Sequence, residues 1–73
     1  MITMPSLSDQ RKERIEDMVE YGQQFKGTPT LYDKLFVYAR RKHPTLTRKT
    51  IESYTEQAVM IILEDYTHEI KTT

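Results

Sequence analysis

Apolar residues recur every three to four positions in three segments of this chain, and glycine, proline or threonine separates one segment from the next. Residues three and four apart share one face of an α-helix, so this spacing indicates three amphipathic helices. The stripes consist of Ile15, Met18, Val19 and Phe25 in the first segment, Leu31, Leu35, Tyr38 and Ala39 in the second, and Ile51, Tyr54, Ala58, Ile61 and Ile62 in the third. The sequence therefore predicts an all-α domain with helices at 9–25, 29–42 and 48–69.

Glycine, threonine and proline mark the boundary between the first two helices. Gly22 or Gly27 can end the first helix, since glycine readily adopts the left-handed conformation found just past a helix C-terminus. Thr28 followed by Pro29 is typical of a helix start, with a capping hydroxyl and then proline at the first helical position. A short turn is therefore expected between the two helices.

Pro44 and Thr47 delimit the link between the second and third helices. Proline disfavours helical geometry for the residue before it, so the second helix is expected to end at Lys42. Thr47 can cap a third helix that begins at Arg48. The β-branched run at 59–62 also fits a strand, but the chain offers no second strand or hairpin turn to pair with it, and the helix is preferred.

The first residues of the chain differ from the rest. Residues 1–7 contain Pro5 and show no apolar period, which predicts a flexible N-terminal tail in front of a single domain at 8–73. Ser6, followed three residues later by Asp9, fits a capping box at the start of the first helix.

Composition excludes several classes of protein. The chain of 73 residues contains no cysteine, which rules out a disulfide framework, a thiolate zinc site and a thiol nucleophile. Its longest apolar run, at 58–63, is far shorter than the roughly 18 residues of a membrane span. No secretory signal is visible at the N-terminus. A soluble, cytoplasmic, single-domain protein is expected, with no membrane contact.

Charge is unevenly distributed, although the formal net charge is zero. Residues 34–51 contain six Lys or Arg, one histidine and no acid, whereas residues 52–70 contain five acids and no Lys or Arg. We call the cations that flank the second turn the basic centre, which consists of Arg40, Arg41, Lys42, Arg48 and Lys49. The first three lie at a helix C-terminus, where the helix dipole alone favours positive charge, but the last two oppose the dipole at a helix N-terminus.

The pattern Leu35-x-x-x-Ala39, Pro44-Thr-Leu-Thr47 and Arg48-Lys-Thr-Ile51-x-x-Tyr54 spans the basic centre. It resembles the helix-turn-helix of DNA-binding proteins. Ala39 matches the small residue where the two helices of that motif cross, Thr47 the residue that opens the recognition helix, and Ile51 its apolar anchor. The resemblance implies that the recognition helix enters the major groove and that the cations near the turn contact phosphates. The DNA-facing residues it implies are Arg48, Lys49, Thr50 and Ser53, with Arg40 and Lys42 beside the phosphates. Arg41, between these two, is also predicted to bind DNA.

The chain carries few residues suited to catalysis. It has no Ser/His/Asp ordering, no nucleophile elbow and no glycine-rich phosphate loop. Glu64, Asp65 and His68 could offer metal ligands from one helical face, but a solvated helix end explains them better. We therefore expect a non-enzyme without metal or cofactor that binds double-stranded DNA as a transcriptional or replication-associated regulator. The alternative is a helical protein-protein interaction module that docks on a protein partner through its long third helix.

The third helix carries a second apolar stripe, formed by Val59, Leu63, Tyr66 and Ile70. Two neighbouring helices of about 15 residues are too short to cover it fully, and an exposed stripe of this kind usually marks an interface. A homodimer about a two-fold axis is therefore predicted, in which two basic centres could meet major-groove faces about 34 Å apart. The alternative is a compact monomer in which the first helix covers the stripe.

Overall fold

The computed structural model describes the backbone of residues 7–72 and the side chains of residues 9–67. Its helices are α1 at Leu7–Gly22, α2 at Leu31–Lys42 and α3 at Arg48–Thr72, with a 3-10 turn at Gln23–Phe25 between the first two. These residues include no strand, so the predicted all-α architecture of three helices with a long third one is confirmed. No helix in the described part combines the length and the apolarity needed to cross a membrane. Residues 1–6 lie outside the described residues, and with them the predicted capping box and all of the predicted tail except Leu7, which is the first residue of α1. The predicted first helix, 9–25, is wrong at its end, because α1 ends at Gly22 and residues 23–25 form the 3-10 turn.

The turn between α1 and α2 depends on Gly27 and Thr28. Gly27 has a φ of +80°, the left-handed conformation predicted for a residue just past a helical segment. The Thr28 hydroxyl donates a hydrogen bond to the Phe25 carbonyl oxygen at 2.7 Å. α2 begins at Leu31, and its N-cap residue Thr30 makes no side-chain capping bond. The predicted start of α2, two residues earlier, is wrong because the Thr28 hydroxyl completes the preceding turn instead of capping α2.

The link between α2 and α3 follows the sequence prediction. His43 leaves the helical region with φ −128° and ψ 67°, so α2 ends at Lys42 ahead of the proline. Thr47 Oγ1 accepts a hydrogen bond from the backbone N–H of Thr50 at 3.2 Å, so Thr47 caps α3. The basic centre therefore spans the C-terminus of α2 and the N-terminus of α3.

One hydrophobic core lies between the three helices. It consists of Ile15, Met18, Leu31, Leu35, Ala39, Ile51, Tyr54, Ala58 and Ile62. Ile61 was also expected there, and this is wrong, because its side chain is 41% exposed and lines a surface groove beside Ile15. Thr55 takes a core position that the apolar pattern did not predict. Its buried hydroxyl donates to the Ile51 carbonyl oxygen at 2.7 Å, so no polar atom is left unsatisfied by its burial.

Candidate nucleic-acid interface

Lys42 is the member of the basic centre that the fold uses internally. Its ammonium group donates to Asp17 Oδ2 of α1 at 2.8 Å and to the Tyr38 hydroxyl at 2.9 Å. The Tyr38 hydroxyl in turn donates to the same Asp17 oxygen at 2.8 Å. Burial alone would raise the pKa of the Asp17 carboxyl, but the hydrogen bonds from Lys42 and Tyr38 lower it below its ordinary value. Lys42 therefore fastens α2 to α1.

Arg40 and Arg48 converge on the side of α3 that faces α2. They line an open depression of about 290 Å³ whose other walls are Pro44, Leu46 and Ile51, and we call it the Arg40–Arg48 depression. Arg48 Nε donates to Glu52 Oε1 at 3.1 Å, one helical turn along, and its side chain is 83% exposed. Exposed pairs of this spacing are weak, so a phosphate can take the place of the carboxylate.

Lys49, Thr50 and Ser53 lie on the other side of α3, facing α1. Together with Thr47 and Tyr54 they line a second open groove, of about 330 Å³. Arg11 of α1 completes its wall, and we call it the Arg11–Lys49 groove. The structure thus divides the predicted DNA-contacting residues between two depressions, and only Arg41 and Lys42 line neither of them.

Two arginines of α1 belong to this surface and were missed by the reasoning from sequence. Arg11 lines the groove beside Lys49, and Arg14 Nη1 donates to the Tyr54 hydroxyl at 3.5 Å. The sequence does show that Arg11 and Arg14 lie on the same side of α1, because residues three apart share one face of a helix. The acids of residues 9–20 outnumber the bases, however, which made α1 an acidic segment in the charge count.

His43 lies in the turn between the two groups of cations and is partly buried there. Its pKa is lowered by partial burial and by the positive charges of Arg14 and Lys42, while Asp17 opposes the shift. Burial is the largest of these causes, and the two cations act in the same direction by favouring the neutral imidazole.

The structure divides the predicted dimer stripe between covered and exposed residues. Val59 is half-buried and packs against the core. The ring of Tyr66 lies beside Gly27, where an added β-carbon would approach its Cζ to 3.3 Å, but Tyr66 is still 37% exposed. Leu63 is 46% exposed, and Ile70 lies beyond the described side chains. Met60, which was not part of the predicted stripe, is 62% exposed and adds to the apolar surface of α3.

The described side chains include no group of three or more His, Asp or Glu that could hold a metal ion. The set considered from the sequence was Glu64, Asp65 and His68. Its histidine lies outside the side chains that the structure describes.

Comparison with known proteins gives no match. No family model, curated protein sequence or solved structure is significantly similar to the chain. The helix-turn-helix resemblance therefore stays a prediction, and the function has to be inferred from the residues of this surface.

Proposed function

We propose that this protein binds double-stranded DNA through the basic centre and acts without catalysis, as a transcriptional or replication-associated regulator. The observation that carries the proposal is how far the cations around the start of α3 are exposed and whether they are paired. Arg41 and Lys49 are exposed, and neither has a hydrogen bond or ion pair within the described part of the chain. Arg40 and Arg48 share one depression whose described lining residues include no carboxylate, although Arg48 also forms the weak exposed pair with Glu52. Cations in this state can neutralise phosphates and release their counterions.

The acids of α3 limit which part of that helix can approach DNA. Glu52 and Glu56 follow the first turn, and Glu56 is exposed. A carboxylate close to the phosphate backbone is repelled, so the later turns of α3 are kept away from the duplex. The proposal therefore has α3 enter the major groove with its N-terminal turn, where Lys49 and the hydroxyls of Thr50 and Ser53 can reach phosphates or base edges.

The test is the salt dependence of binding to a short random-sequence duplex, followed by fluorescence anisotropy. The wild-type affinity is expected to fall steeply with salt, and Arg48→Ala/Lys49→Ala is expected to flatten the logarithmic slope by about two units if both residues contact phosphates. If one of them reads a base, the loss also depends on DNA sequence, by roughly 1–3 kcal/mol at that position.

The matched control removes two cations elsewhere. Lys12→Ala/Lys34→Ala makes the same change in net charge with exposed residues outside the basic centre, and it is expected to leave the slope nearly unchanged. An equal loss of affinity in both double variants would show that binding depends on the overall charge and not on the basic centre. Unchanged affinity in the Arg48/Lys49 variant would reject the proposal and favour the second candidate.

The second candidate is the interaction module, and the exposed apolar residues of α3 favour it. Met60, Ile61 and Leu63 are all more than 40% exposed and follow one another within four positions. Met60 and Leu63, three positions apart, share one face of α3, whereas Ile61 lines the groove beside α1. Exposed apolar side chains on one helix face mark surfaces that other chains cover. The occupant we propose is a second copy of this chain, bound through a surface that shares Leu63 with the stripe predicted for the homodimer. Self-association through α3 is compatible with DNA binding, since the basic centre lies at the start of that helix, more than ten positions before Met60.

A further inference from the structure

The Arg11–Lys49 groove has the composition of an anion site. Arg11 comes from α1 and Lys49 from α3, so two positive charges reach the groove from helices that are remote in sequence. Both side chains are exposed and have no hydrogen bond or ion pair within the described residues. None of the described residues that line the groove is acidic. Two uncompensated cations facing a shared space favour an anionic ligand between them.

The hydroxyl groups of the groove retain hydrogens to donate. Ser53 Oγ accepts a hydrogen bond from Gln57 Nε2 at 3.2 Å, so its own hydrogen is not used in that contact. The hydroxyls of Thr47 and Thr50 lie 2.9 Å apart and share one hydrogen bond, which leaves one of their two hydrogens unused. The groove therefore offers neutral donors in addition to charge, which is the combination that phosphate oxygens accept.

Arg14 contacts a residue that forms one wall of the groove. It donates to the hydroxyl of Tyr54, whose ring is buried and forms part of the groove lining. The ring is held by the core, so this wall is rigid. A rigid wall reduces the conformational entropy that a ligand must overcome on binding.

We infer that one phosphate of the duplex backbone binds in the Arg11–Lys49 groove, which extends the DNA-binding surface onto α1. This inference rests on the proposed function and adds to it a residue outside the basic centre. The Arg40–Arg48 depression lies on the opposite flank of the first turn of α3, and the two depressions share no residue. The start of α3 thus has cations on both sides, as expected for an element that enters a DNA groove between two phosphate-bearing strands.

The experiment compares Arg11→Ala with Lys12→Ala in binding to the random-sequence duplex. The two residues are neighbours on α1 and both are exposed, but Lys12 does not line the groove. Loss of one phosphate contact is expected to lower the affinity of Arg11→Ala about eightfold at 0.1 M salt and its salt slope by about 0.9. Lys12→Ala is expected to match the wild type, and circular dichroism should show both variants folded.

A double-mutant cycle tests whether the two cations hold the same phosphate. The sum of the affinity losses in Arg11→Ala and Lys49→Ala should exceed the loss in the double variant, because residues that share a ligand are coupled. Additive losses would overturn the shared phosphate. Equal binding by Arg11→Ala and Lys12→Ala, with the wild type still bound, would overturn the inference alone. A wild-type chain that does not bind the duplex would reject the proposed function and the inference together.

Discussion

The ammonium group of Lys42 lies 2.8 Å from a carboxylate oxygen of Asp17, and this ion pair joins the C-terminal end of α2 to the middle of α1. Tyr38 donates to the same oxygen, so one carboxylate holds two side chains of α2. The stacked rings of Tyr21 and Tyr38, 4.0 Å apart, lie beside this contact and bring the same two helices together. Lys42 is therefore a structural residue of the helix pair, whereas Arg41, next to it, remains available to a ligand.

Asp17→Asn is expected to lower the free energy of unfolding at neutral pH. The pKa of Asp17 is lowered below its ordinary value of 3.8 in the folded protein, so its stabilising contribution is fully present above about pH 4 and is lost as the pH falls through the folded-state pKa. The difference between variant and wild type should therefore shrink under acid. Urea denaturation at a series of pH values measures it. Tyr38→Phe removes one of the two hydrogen bonds and should have a smaller effect, and a difference that does not depend on pH would contradict the ion-pair account.

Gly22→Ala is expected to destabilise the protein although alanine favours helix. An added β-carbon at Gly22 would lie 2.6 Å from Ile62 Cδ1 and 3.0 Å from Leu35 Cδ2. Overpacking of this kind typically costs about 1–3 kcal/mol, more than the roughly 1 kcal/mol gained from helix propensity. Ile62→Val removes the closest atom, so the double variant should be less destabilised than the sum of the two single variants. Thermal or urea unfolding of all four proteins gives the coupling, and strictly additive losses would show that Gly22 and Ile62 are not in contact.

Thr47→Ala is expected to cost about 1 kcal/mol of stability, because it removes the side-chain oxygen that accepts the Thr50 N–H at the start of α3. Thr45→Ala provides the control. Thr45 lies exposed in the same turn, and its hydroxyl has no hydrogen bond within the described residues. Urea denaturation of the two variants should separate them, and equal stabilities would show that the cap contributes nothing.

Sedimentation equilibrium at micromolar concentration is expected to give the mass of a dimer for the wild-type chain and of a monomer for Leu63→Glu. A charge placed at the centre of an apolar interface cannot be desolvated without a large penalty. Val37→Glu is the matched control, since Val37 is 48% exposed, close to the 46% of Leu63, and belongs to α2 instead of α3. A monomeric wild type would reject the dimer, and loss of the dimer in both variants would show that the effect is not specific to α3.

Local interactions explain the features that the sequence alone determined. Helix stripes, the stop at Lys42 and the cap at Thr47 depend on residues within four positions of one another, and those relations can be seen in the printed sequence. The basic centre was visible for the same reason, because its members are close in the chain. Thr28 shows the limit of this reasoning, since the same hydroxyl could cap the next helix or complete the previous turn.

Tertiary structure decided which face of each helix is covered by the other helices and which charged side chains come close together. Ile61 is exposed because α1 lies to one side of it and leaves a groove. The spacing of apolar residues within α3 does not show where α1 lies. Lys42 pairs with Asp17, and Arg11 lines the same groove as Lys49. Both relations exist because the packing of the core sets how the helices are rotated and shifted relative to one another. A residue's helical face follows from its own segment, but its partner across a groove depends on the relative placement of two segments. That placement is set by many weak contacts distributed through the core, which no short pattern in the sequence records.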